Sequence, residues 1–309
     1  MTTYRDAGFL AAAFRNFLAL LGWSAGEEKE IYSLNELIEK FSLEGIHRSN
    51  AVFNFTENDP RKWTDDKAQW MNAEYIRTMP LEELLPFVKA ELKSAKLWRE
   101  EYEPEGRALT GTVASTNAQS FEKGTEMADR AENIAIDLPE IGSHDWYVRT
   151  VDLIRSRFFT LKDFSTQGRA YFSEDFDFDP AAIAKNLTKF PDLKTWLPEL
   201  ADRFEAEFTD GLSIPHVSKG SVQADENITA NDNPIQNPAA KAFTEENIET
   251  VVKAFTEEKG TKLGVIMNGA RTLLTGVGVG PSMLSVFETI GLDRTIMRLR
   301  SQVAWNNGE

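Results

Sequence analysis

Apolar residues recur three and four positions apart in segment after segment of this chain, and this spacing constrains its fold more than any other feature. On an α-helix such residues share one face, which must be buried against another element. Only one short stretch, Ala51–Phe55, has the composition of a β-strand. The sequence therefore predicts a mainly α-helical protein. The predicted helices cover residues 9–21, 33–41, 65–77, 81–98, 146–164, 180–187, 193–208, 244–260, 266–274 and 282–290.

Local signals mark where these elements begin, end and separate. Ser33, with Glu36 three residues later, is a capping-box pattern, and Gly291 is placed to end the helix before it. Residues 110–120 lack periodicity and predict a loop. Residues 214–240 are rich in Asn, Ser, Pro and Gln and indicate a linker or insertion. A chain of 309 residues has room for two or three domains.

Composition excludes several classes of protein. The chain has no cysteine, so disulfides and thiolate metal sites are excluded, and its three histidines lie far apart. No apolar run approaches the roughly 18 residues that a membrane span needs, and no signal-peptide pattern is present. The acids at positions 175, 177 and 179 lack the glycine and the distal glutamate of a calcium loop. We therefore expect a cytoplasmic protein with no membrane partner, no metal site and no catalytic residues in this chain.

The formal net charge of −15, from 49 acidic and 34 basic residues, argues against a nucleic-acid partner when taken alone. A ligand meets the local potential, however, and not the net charge. Residues 143–172 hold five basic and three acidic side chains, and residues 292–301 hold three basic side chains and one acid. Both segments are predicted to be positive areas in an acidic chain.

The segment TLLTGVGVGPSML, residues 272–284, carries glycines at positions 276, 278 and 280, as phosphate-binding loops do. A Walker loop ends in Gly-Lys-Ser/Thr, and here Gly280, Pro281 and Ser282 offer no lysine. A dinucleotide loop follows a strand, whereas the residues before this loop have a helical pattern. An enzyme that binds a nucleotide here is therefore disfavoured, and a tight connection between two helices stays open.

Five stretches, in order along the chain, carry a resemblance to a known family. They are YRDAGFLAAAFRNFLALLGWS, SLNELIEKFSLEGIHRSNAVFNF, DDKAQWMNAEYIR, LIRSRFFTLKDF and RTLLTGVGVGPSMLSVFETIGLDRTIMRLR. Together they resemble the C-terminal, tRNA-binding half of bacterial glutamyl-tRNA synthetases, which are class I aminoacyl-tRNA synthetases. The two ATP signatures of that family, of the His-Ile-Gly-His and Lys-Met-Ser-Lys-Ser types, are not in this sequence. The resemblance implies a part that binds tRNA, without the catalytic domain, ATP and magnesium of the complete enzyme.

The resemblance also implies a domain order. A small mixed stem-contact domain would cover residues 1–78 and a first helical anticodon-binding domain residues 79–190. A second helical anticodon-binding domain would cover residues 191–309, with the insertion at about 214–240. The implied partners are a glutamate-accepting tRNA and the catalytic domain, in cis or in trans, with no DNA.

Four residues of one predicted helix, Lys67, Trp70, Asn72 and Arg77, match the family's stem-contact motif, which implies contact with the inner corner of the tRNA. A lysine meets phosphate as a mobile point charge and an arginine as a bidentate fork. At spacings of three, five and ten residues these side chains cannot all share one helix face. Burial in the core is the favoured alternative for Trp70, and a solvated face is the alternative for both basic residues.

The resemblance places further contacts around the anticodon. Arg155 and Arg157 are two residues apart, so on a helix only one of them would face the RNA, and either could read the last anticodon base. Phe158 and Phe159 could stack on an unpaired base, although core packing is favoured for both.

The closing motif implies three more anticodon contacts, at Arg271, Pro281 and Met283. The glycines of the loop would let the backbone pass close to RNA, and Pro281 and Met283 would offer apolar surface to a splayed base. The main alternative for the whole chain is a helical protein-interaction module, descended from such a synthetase, that no longer binds RNA. The net charge of −15 is its best support.

Overall fold

The computed structural model describes residues 2–47, 64–104, 140–209 and 241–306. In these ranges the structure is helical, with one isolated β-bridge between Trp23 and Ile46 and no β-sheet, so the mainly α-helical prediction is confirmed. The predicted strand at 51–55, the loop at 110–120 and the insertion at 214–240 lie outside the described residues.

The α-helices are α1 (Thr2–Asp6), α2 (Ala11–Leu20), α3 (Leu34–Lys40), α4 (Asp66–Thr78), α5 (Leu81–Ser94), α6 (His144–Arg155), α7 (Arg169–Phe172), α8 (Pro180–Ile183), α9 (Leu193–Phe208), α10 (Glu245–Glu258), α11 (Leu263–Thr275), α12 (Met283–Ile290), α13 (Leu292–Leu299) and α14 (Val303–Asn306). Two 3₁₀ turns, Glu100–Tyr102 and Leu161–Phe164, and a π-helical turn, Ala184–Thr188, complete the described elements.

Helix ends follow the local signals where those signals are strong. α3 begins with the predicted capping box, in which Ser33 Oγ accepts from the N–H of Glu36 and the Glu36 carboxylate accepts from the N–H of Ser33. α12 ends at Gly291, which has a φ of 83°. α5 stops at Ser94, short of the predicted end, because Lys96 takes a left-handed φ of 60° that a helix cannot continue through.

The helix predicted over 146–164 is interrupted. α6 ends at Arg155, and the 3₁₀ turn Leu161–Phe164 follows after a break. The carboxylate of Asp163 accepts hydrogen bonds from the N–H groups of Phe159 and Thr160, both at 2.8 Å, and so begins the new turn. Apolar periodicity conceals this break because apolar side chains before, within and after it, namely Ile154, Phe158 and Phe164, are all buried.

The N-terminal helices have a small apolar cluster of their own, formed where α2 packs against α4. Asn16 of α2 is fully buried and uses its whole amide. It donates to the carbonyl of Glu30 at 2.9 Å and accepts from the N–H of Tyr32 at 2.7 Å and the hydroxyl of Tyr75 at 2.9 Å. These bonds fix the segment before α3 against both helices. The buried members of the cluster are Phe9, Phe17, Ala68 and Met71.

The other helices surround a second, larger apolar core whose members extend from Leu10 to Ala304. α13 lies along α9, and α11 packs against both. The approach of α11 to α9 is close, since a Cβ on Gly269 would lie 2.7 Å from Cδ1 of Leu193. This core has members on both sides of residue 190, and the division into domains stays a prediction.

The guanidinium of Arg298, on α13, is buried and bonded through all three of its nitrogens. Burial lowers its pKa to about 10, so it stays charged at neutral pH. Burial also opposes ionisation of Glu174, but Arg294 and Arg298 outweigh it and hold the pKa of that carboxyl below its ordinary value. The acceptors of Arg298 are the carbonyls of Leu274 (2.6 Å), Ala170 (2.9 Å) and Ser173 (3.1 Å) and the Glu174 carboxylate (2.9 Å).

Ion pairs neutralise much of the two segments predicted to be positive. In residues 292–301 all three arginines form ion pairs, so this segment offers a ligand no basic side chain without a partner. In 143–172 three of the five basic residues are paired. The pairs are Arg294 and Arg298 with Glu174, Arg300 with Asp202 and Glu205, Arg155 with Asp152, Lys162 with Glu91, and Arg169 with Asp175.

Replacing Arg298 with alanine should lower the free energy of unfolding by about 3–5 kcal/mol, because three carbonyls lose a buried donor, at about 1–3 kcal/mol each, while Glu174 keeps its pair with Arg294. Arg300→Ala is the matched control from the end of the same helix. Its ion pairs are exposed, so its loss should cost at most about 1 kcal/mol. Urea unfolding at neutral pH measures both, and equal losses would show that Arg298 does not hold the fold in the way described.

Candidate nucleic-acid interface

A cavity of about 290 Å³ lies between the turn that follows α6 and the glycine-rich loop that follows α11. The turn contributes Arg157, Phe158 and Phe159. Tyr171 and Arg271 also line the cavity. No acidic side chain is found among its described lining residues. The remaining lining residues are Ile154, Ser156, Gln167, Thr275, Val277, Val279, Gly280 and Pro281.

The turn after α6 separates its two phenylalanines. Phe158 is buried, with its ring centroid 4.9 Å from that of Phe164 in an edge-to-face contact. Phe159 is 50% exposed and lines the cavity. Core packing, favoured for both from the sequence, is correct for Phe158 and wrong for Phe159. The second ring therefore offers an aromatic face to a ligand.

The structure separates the two candidate arginines of this region. Arg155 closes α6 and is largely buried, donating to the carbonyl of Met79 at 2.8 Å and pairing with Asp152 at 2.8 Å. Arg157 lies beyond the helix end and is exposed, and its side chain forms no hydrogen bond or ion pair with any residue in the described ranges, although its N–H donates to the carbonyl of Ile154 at 3.1 Å. Of the two arginines, only Arg157 lines the cavity with a guanidinium that has no partner in the described structure.

Arg271 adds a second guanidinium to the cavity. Its Nη2 donates to the carbonyl of Pro281 at 2.7 Å, while its Nη1 is buried and has no hydrogen-bond partner within the described structure. Burial lowers the pKa of Arg271, and the nearby charge of Arg157 lowers it further. Two like charges thus face one cavity that lacks an acid, which favours an electronegative ligand.

Contacts within the protein account for the glycines of the loop, and most strictly for Gly276. Gly276 ends α11 with a left-handed φ of 74°, and a Cβ there would collide with the carbonyl oxygen of Asp177. A Cβ on Gly278 would lie 3.3 Å from Cβ of Ala182, and one on Gly280 would lie 2.7 Å from Nη1 of Arg271. Close passage to a ligand is therefore not needed to explain this motif.

The two apolar residues predicted beside the anticodon have different surroundings. Pro281 lines the cavity and is partly exposed. Met283 is only 5% exposed and packs into the main core as the first residue of α12. Met283 therefore has no apolar surface to offer to a base, contrary to the expectation from the motif.

Helix α4 divides the four stem-contact candidates between two faces. Lys67, Trp70 and Arg77 lie on the outer face, where Lys67 pairs with Glu30 at 2.6 Å. Trp70 is 40% exposed, so the favoured expectation that it lies in the core is wrong. Arg77 is exposed and pairs with Glu74, three residues before it, at 2.7 Å.

Asn72 is the fourth candidate, and its side chain is fully buried. Both ends of its amide are used inside the protein, as acceptor from the N–H of Leu10 at 2.9 Å and as donor to the carbonyl of Phe159 at 2.6 Å. The predicted contact of Asn72 with RNA therefore has no accessible surface in this structure. Its position on the inner face of α4 follows from the burial of Met71 and Ile76 beside it.

A second, wider cleft of about 840 Å³ adjoins the first, and the two share Phe159, Gln167, Val277 and Val279. Val279 is 76% exposed at the edge between them. Tyr171 and Lys185 stand in no recognisable motif, and in the glycine-rich segment the sequence analysis indicates the glycines, Pro281 and Met283 but not Val279. The other residues of the cleft are Ala7, Gln69, Thr160, Lys162, Asp163, Asp179, Ala181, Ala182, Lys185 and Gly278.

The described ranges have neither a membrane span nor a cluster of metal ligands. No helix there has the length and apolarity needed to cross a bilayer. No three His, Asp or Glu side chains of residues 2–47, 64–104, 140–209 and 241–306 are grouped as metal ligands would be.

Comparison with families of known proteins gives one match. A model described as the anticodon binding domain matches residues 126–226 and 236–303, which is more than half of the chain. Two solved structures have a similar fold. They are a glutamate tRNA ligase from Elizabethkingia meningosepticum (TM-score 0.58, 22% identity, 99% of this chain and 43% of that chain) and a glutamate-tRNA synthetase from Elizabethkingia anophelis (0.53, 23%, 96% and 41%).

The chain is also similar to curated relatives over nearly its whole length. The chain is 37% identical over 297 residues to a glutamate–tRNA ligase of Desulfotalea psychrophila and 33% identical over 299 residues to glutamate–tRNA ligase 2 of Koribacter versatilis. Each alignment covers 96% of this chain, but only 46% and 45% of the relatives, so the chain spans less than half their length. A stretch of 97 residues is 57% identical to a glutamate–tRNA ligase of Solibacter usitatus. The resemblance drawn from the sequence is confirmed.

Gly276→Ala should lower the free energy of unfolding by more than about 3 kcal/mol, because left-handed strain adds to a collision with the Asp177 carbonyl. Gly260→Ala is the matched control: Gly260 has a similar φ of 61°, but a Cβ there meets nothing within 4 Å. We expect it to cost only the strain, about 1–2 kcal/mol. Thermal or urea unfolding measures both, and similar costs would mean that the loop moves away from Asp177 easily.

Proposed function

Because the chain belongs to the anticodon binding domain family, we propose that it recognises a transfer RNA, and that the cavity between Arg157 and Pro281 receives a base of the anticodon. Single-stranded RNA loops are read by splaying bases out and binding them edge-on and by stacking. The cavity offers guanidinium donors for a base edge and the exposed ring of Phe159 for stacking.

The observation that carries this proposal is the pair of guanidinium groups in a cavity whose described lining has no acid. The exposed guanidinium of Arg157 has donors without partners in the described structure, and guanidinium donors match the acceptor edges of bases. Nη1 of Arg271 also lacks a partner there, but it is buried, so Arg271 contributes its positive charge to the cavity. A volume of about 290 Å³ is at the small end of ligand sites, which run from about 300 to 1,000 Å³. It suits one ring system better than a whole nucleotide, which again disfavours a nucleotide-binding enzyme.

The relatives extend the proposal to a reaction and a substrate. We propose that the chain serves a glutamate–tRNA ligase, in which a catalytic domain, in cis or in trans, uses ATP and Mg²⁺ to join glutamate to a glutamate-accepting tRNA in the cytoplasm. The role of this chain is to hold the tRNA. The side chains that line the cavity select the tRNA by its anticodon base. It supplies no catalytic residue in this proposal.

The outer face of α4 is proposed as a second contact, with the inner corner of the tRNA. Lys67 and Arg77 are exposed there with Trp70 between them. Both charges are held in exposed ion pairs, which are weak in water and can be exchanged for phosphate contacts. Contacts of this kind set orientation and carry no sequence information.

A protein-interaction module without RNA binding is the competing function. Its support is the net charge of −15, together with the pairing of most basic residues in the two positive segments. The cavity favours RNA over this alternative, because an interaction module gives no reason for two unpaired guanidinium donors in one recess.

Arg157→Ala should weaken binding to glutamate tRNA by roughly five- to a hundredfold, the worth of one good bidentate contact with a base. It should also reduce the preference for this tRNA over one with its third anticodon base changed. Arg155→Ala is the matched control, because its donors are used within the protein, and we expect it to lower stability and keep the preference. Fluorescence anisotropy with labelled tRNA measures both. If the preference is lost in Arg155→Ala and kept in Arg157→Ala, Arg155 is the residue that reads the anticodon base. If the chain binds no tRNA at low salt, the protein-interaction module is the better description of its function.

Lys67→Ala and Arg77→Ala should each reduce the slope of log affinity against log salt by about 0.7–0.9, since each removes one phosphate contact. Neither should change the preference for the third anticodon base. Lys253→Ala provides the control, because Lys253 is an exposed, ion-paired residue of α10 that lines neither cleft. Slopes that stay the same in both variants would remove α4 from the RNA-binding surface.

A further inference from the structure

Asn72 joins three segments that are distant in sequence. Its side chain lies on the inner face of α4 with no exposure to solvent. Its Oδ1 accepts from the N–H of Leu10 at the start of α2, and its Nδ2 donates to the carbonyl of Phe159 in the turn after α6. One amide therefore ties the N-terminal helices to the turn that carries Arg157.

A second contact reinforces the same junction. The N–H of Leu161 donates to the carbonyl of Gly8 at 2.9 Å. Gly8 has a φ of 84°, and a Cβ there would lie 2.7 Å from the backbone nitrogen of Lys162. The segment before α2 is thus seated directly on the turn, and only glycine allows that approach.

Side chains hold the backbone of the turn at Phe159. Asp163 accepts from the N–H groups of Phe159 and Thr160, and Asn72 donates to the carbonyl of Phe159, so both backbone polar groups of Phe159 are bonded to side chains. The side chain of Phe159 itself is half exposed and lines both clefts. The side chain of Arg157, two residues earlier, has no hydrogen-bond or ion-pair partner in the described structure, while its N–H donates to the carbonyl of Ile154. The placement of the Arg157 side chain therefore depends on how the backbone is held.

We propose that Asn72 is a positioning residue for the anticodon site, which sets Arg157 and Phe159 through the carbonyl of Phe159 and makes their geometry depend on the seating of the N-terminal helices. This inference rests on the proposed function. It assigns to a buried residue a part in base selection, in place of the RNA contact that the stem-contact motif implied for it. It also links the outer face of α4 to the cavity through a single side chain.

The test compares Asn72→Ala with Asn16→Ala in the full chain. Asn16 is also fully buried, also uses both ends of its amide, and lies in the same helical unit, but all its bonds stay within residues 16–75. Each variant loses buried hydrogen bonds, so we expect similar losses of stability by urea unfolding. Anisotropy then gives the ratio of affinities for glutamate tRNA and for the tRNA with its third anticodon base changed.

Asn72→Ala should reduce that ratio by about tenfold, whereas Asn16→Ala should leave it within about twofold of the parent. A ratio that is unchanged in Asn72→Ala, or reduced equally in both variants, would overturn the positioning role. A parent protein that shows no preference between the two tRNAs would instead contradict the proposed function.

Hydrogen exchange checks the same inference without RNA. In Asn72→Ala the amides of residues 157–163 should exchange at least about fivefold faster than in the parent, and in Asn16→Ala they should exchange at the parent rate. Unchanged protection of this segment in Asn72→Ala would show that Asp163 and Gly8 hold the turn alone. The inference would then fail even if the tRNA proposal stands.

Discussion

The buried guanidinium of Arg298 binds backbone carbonyls from two segments that both reach the candidate site. Leu274 belongs to α11, which leads into the glycine-rich loop, and Ala170 and Ser173 lie on either side of Tyr171, which lines the cavity. A charge in such a place destabilises a protein unless its donors are satisfied. Here all three nitrogens have acceptors, and the two segments are held at a fixed separation. The cavity thus depends on a residue that does not line it.

Pairing of charges also explains how a chain with a net charge of −15 can offer a positive site. Acids next to a basic residue remove its charge from the surface, and the three arginines of 292–301 are used in this way. Positive potential remains only where no acid reaches. In the described structure Arg157 and Arg271 meet that condition together, on two sides of one recess. The potential at this site therefore depends on which nearby charges are paired, and not on the net charge of the chain.

The positions of the helices could be predicted from the sequence because their signals are local. The capping box at Ser33 and the stop at Gly291 depend on residues within one turn. Which polar side chains are buried on the helices could not be predicted, because partners distant in sequence decide it. Asn72 is buried since its acceptor and donor groups meet residues 62 and 87 positions away.

The same reason separates the correct from the wrong expectations at the site. The resemblance indicated both Arg155 and Arg157, and the structure uses Arg155 internally through the carbonyl of Met79, 76 residues away, together with Asp152 on the same helix. The break after α6 depends on Asp163, whose carboxylate competes for backbone groups that a continuous helix would need. The spacing of apolar residues indicates which side chains are buried. It does not indicate whether a backbone N–H is bonded within a helix or to a side chain such as that of Asp163.

The glycine-rich loop sets its three glycines against the protein, although Gly278 and Gly280 also line a cleft. Gly276 lies against the backbone carbonyl of Asp177, Gly278 against Ala182 and Gly280 against the side chain of Arg271, whereas Val277 and Val279 line both clefts. A larger residue at Gly276 meets backbone, and one at Gly278 or Gly280 meets a neighbouring side chain. The two valines are the positions of the loop whose side chains line the clefts already. A library randomised at positions 277 and 279 alone samples new shapes of the recess while the scaffold stays intact.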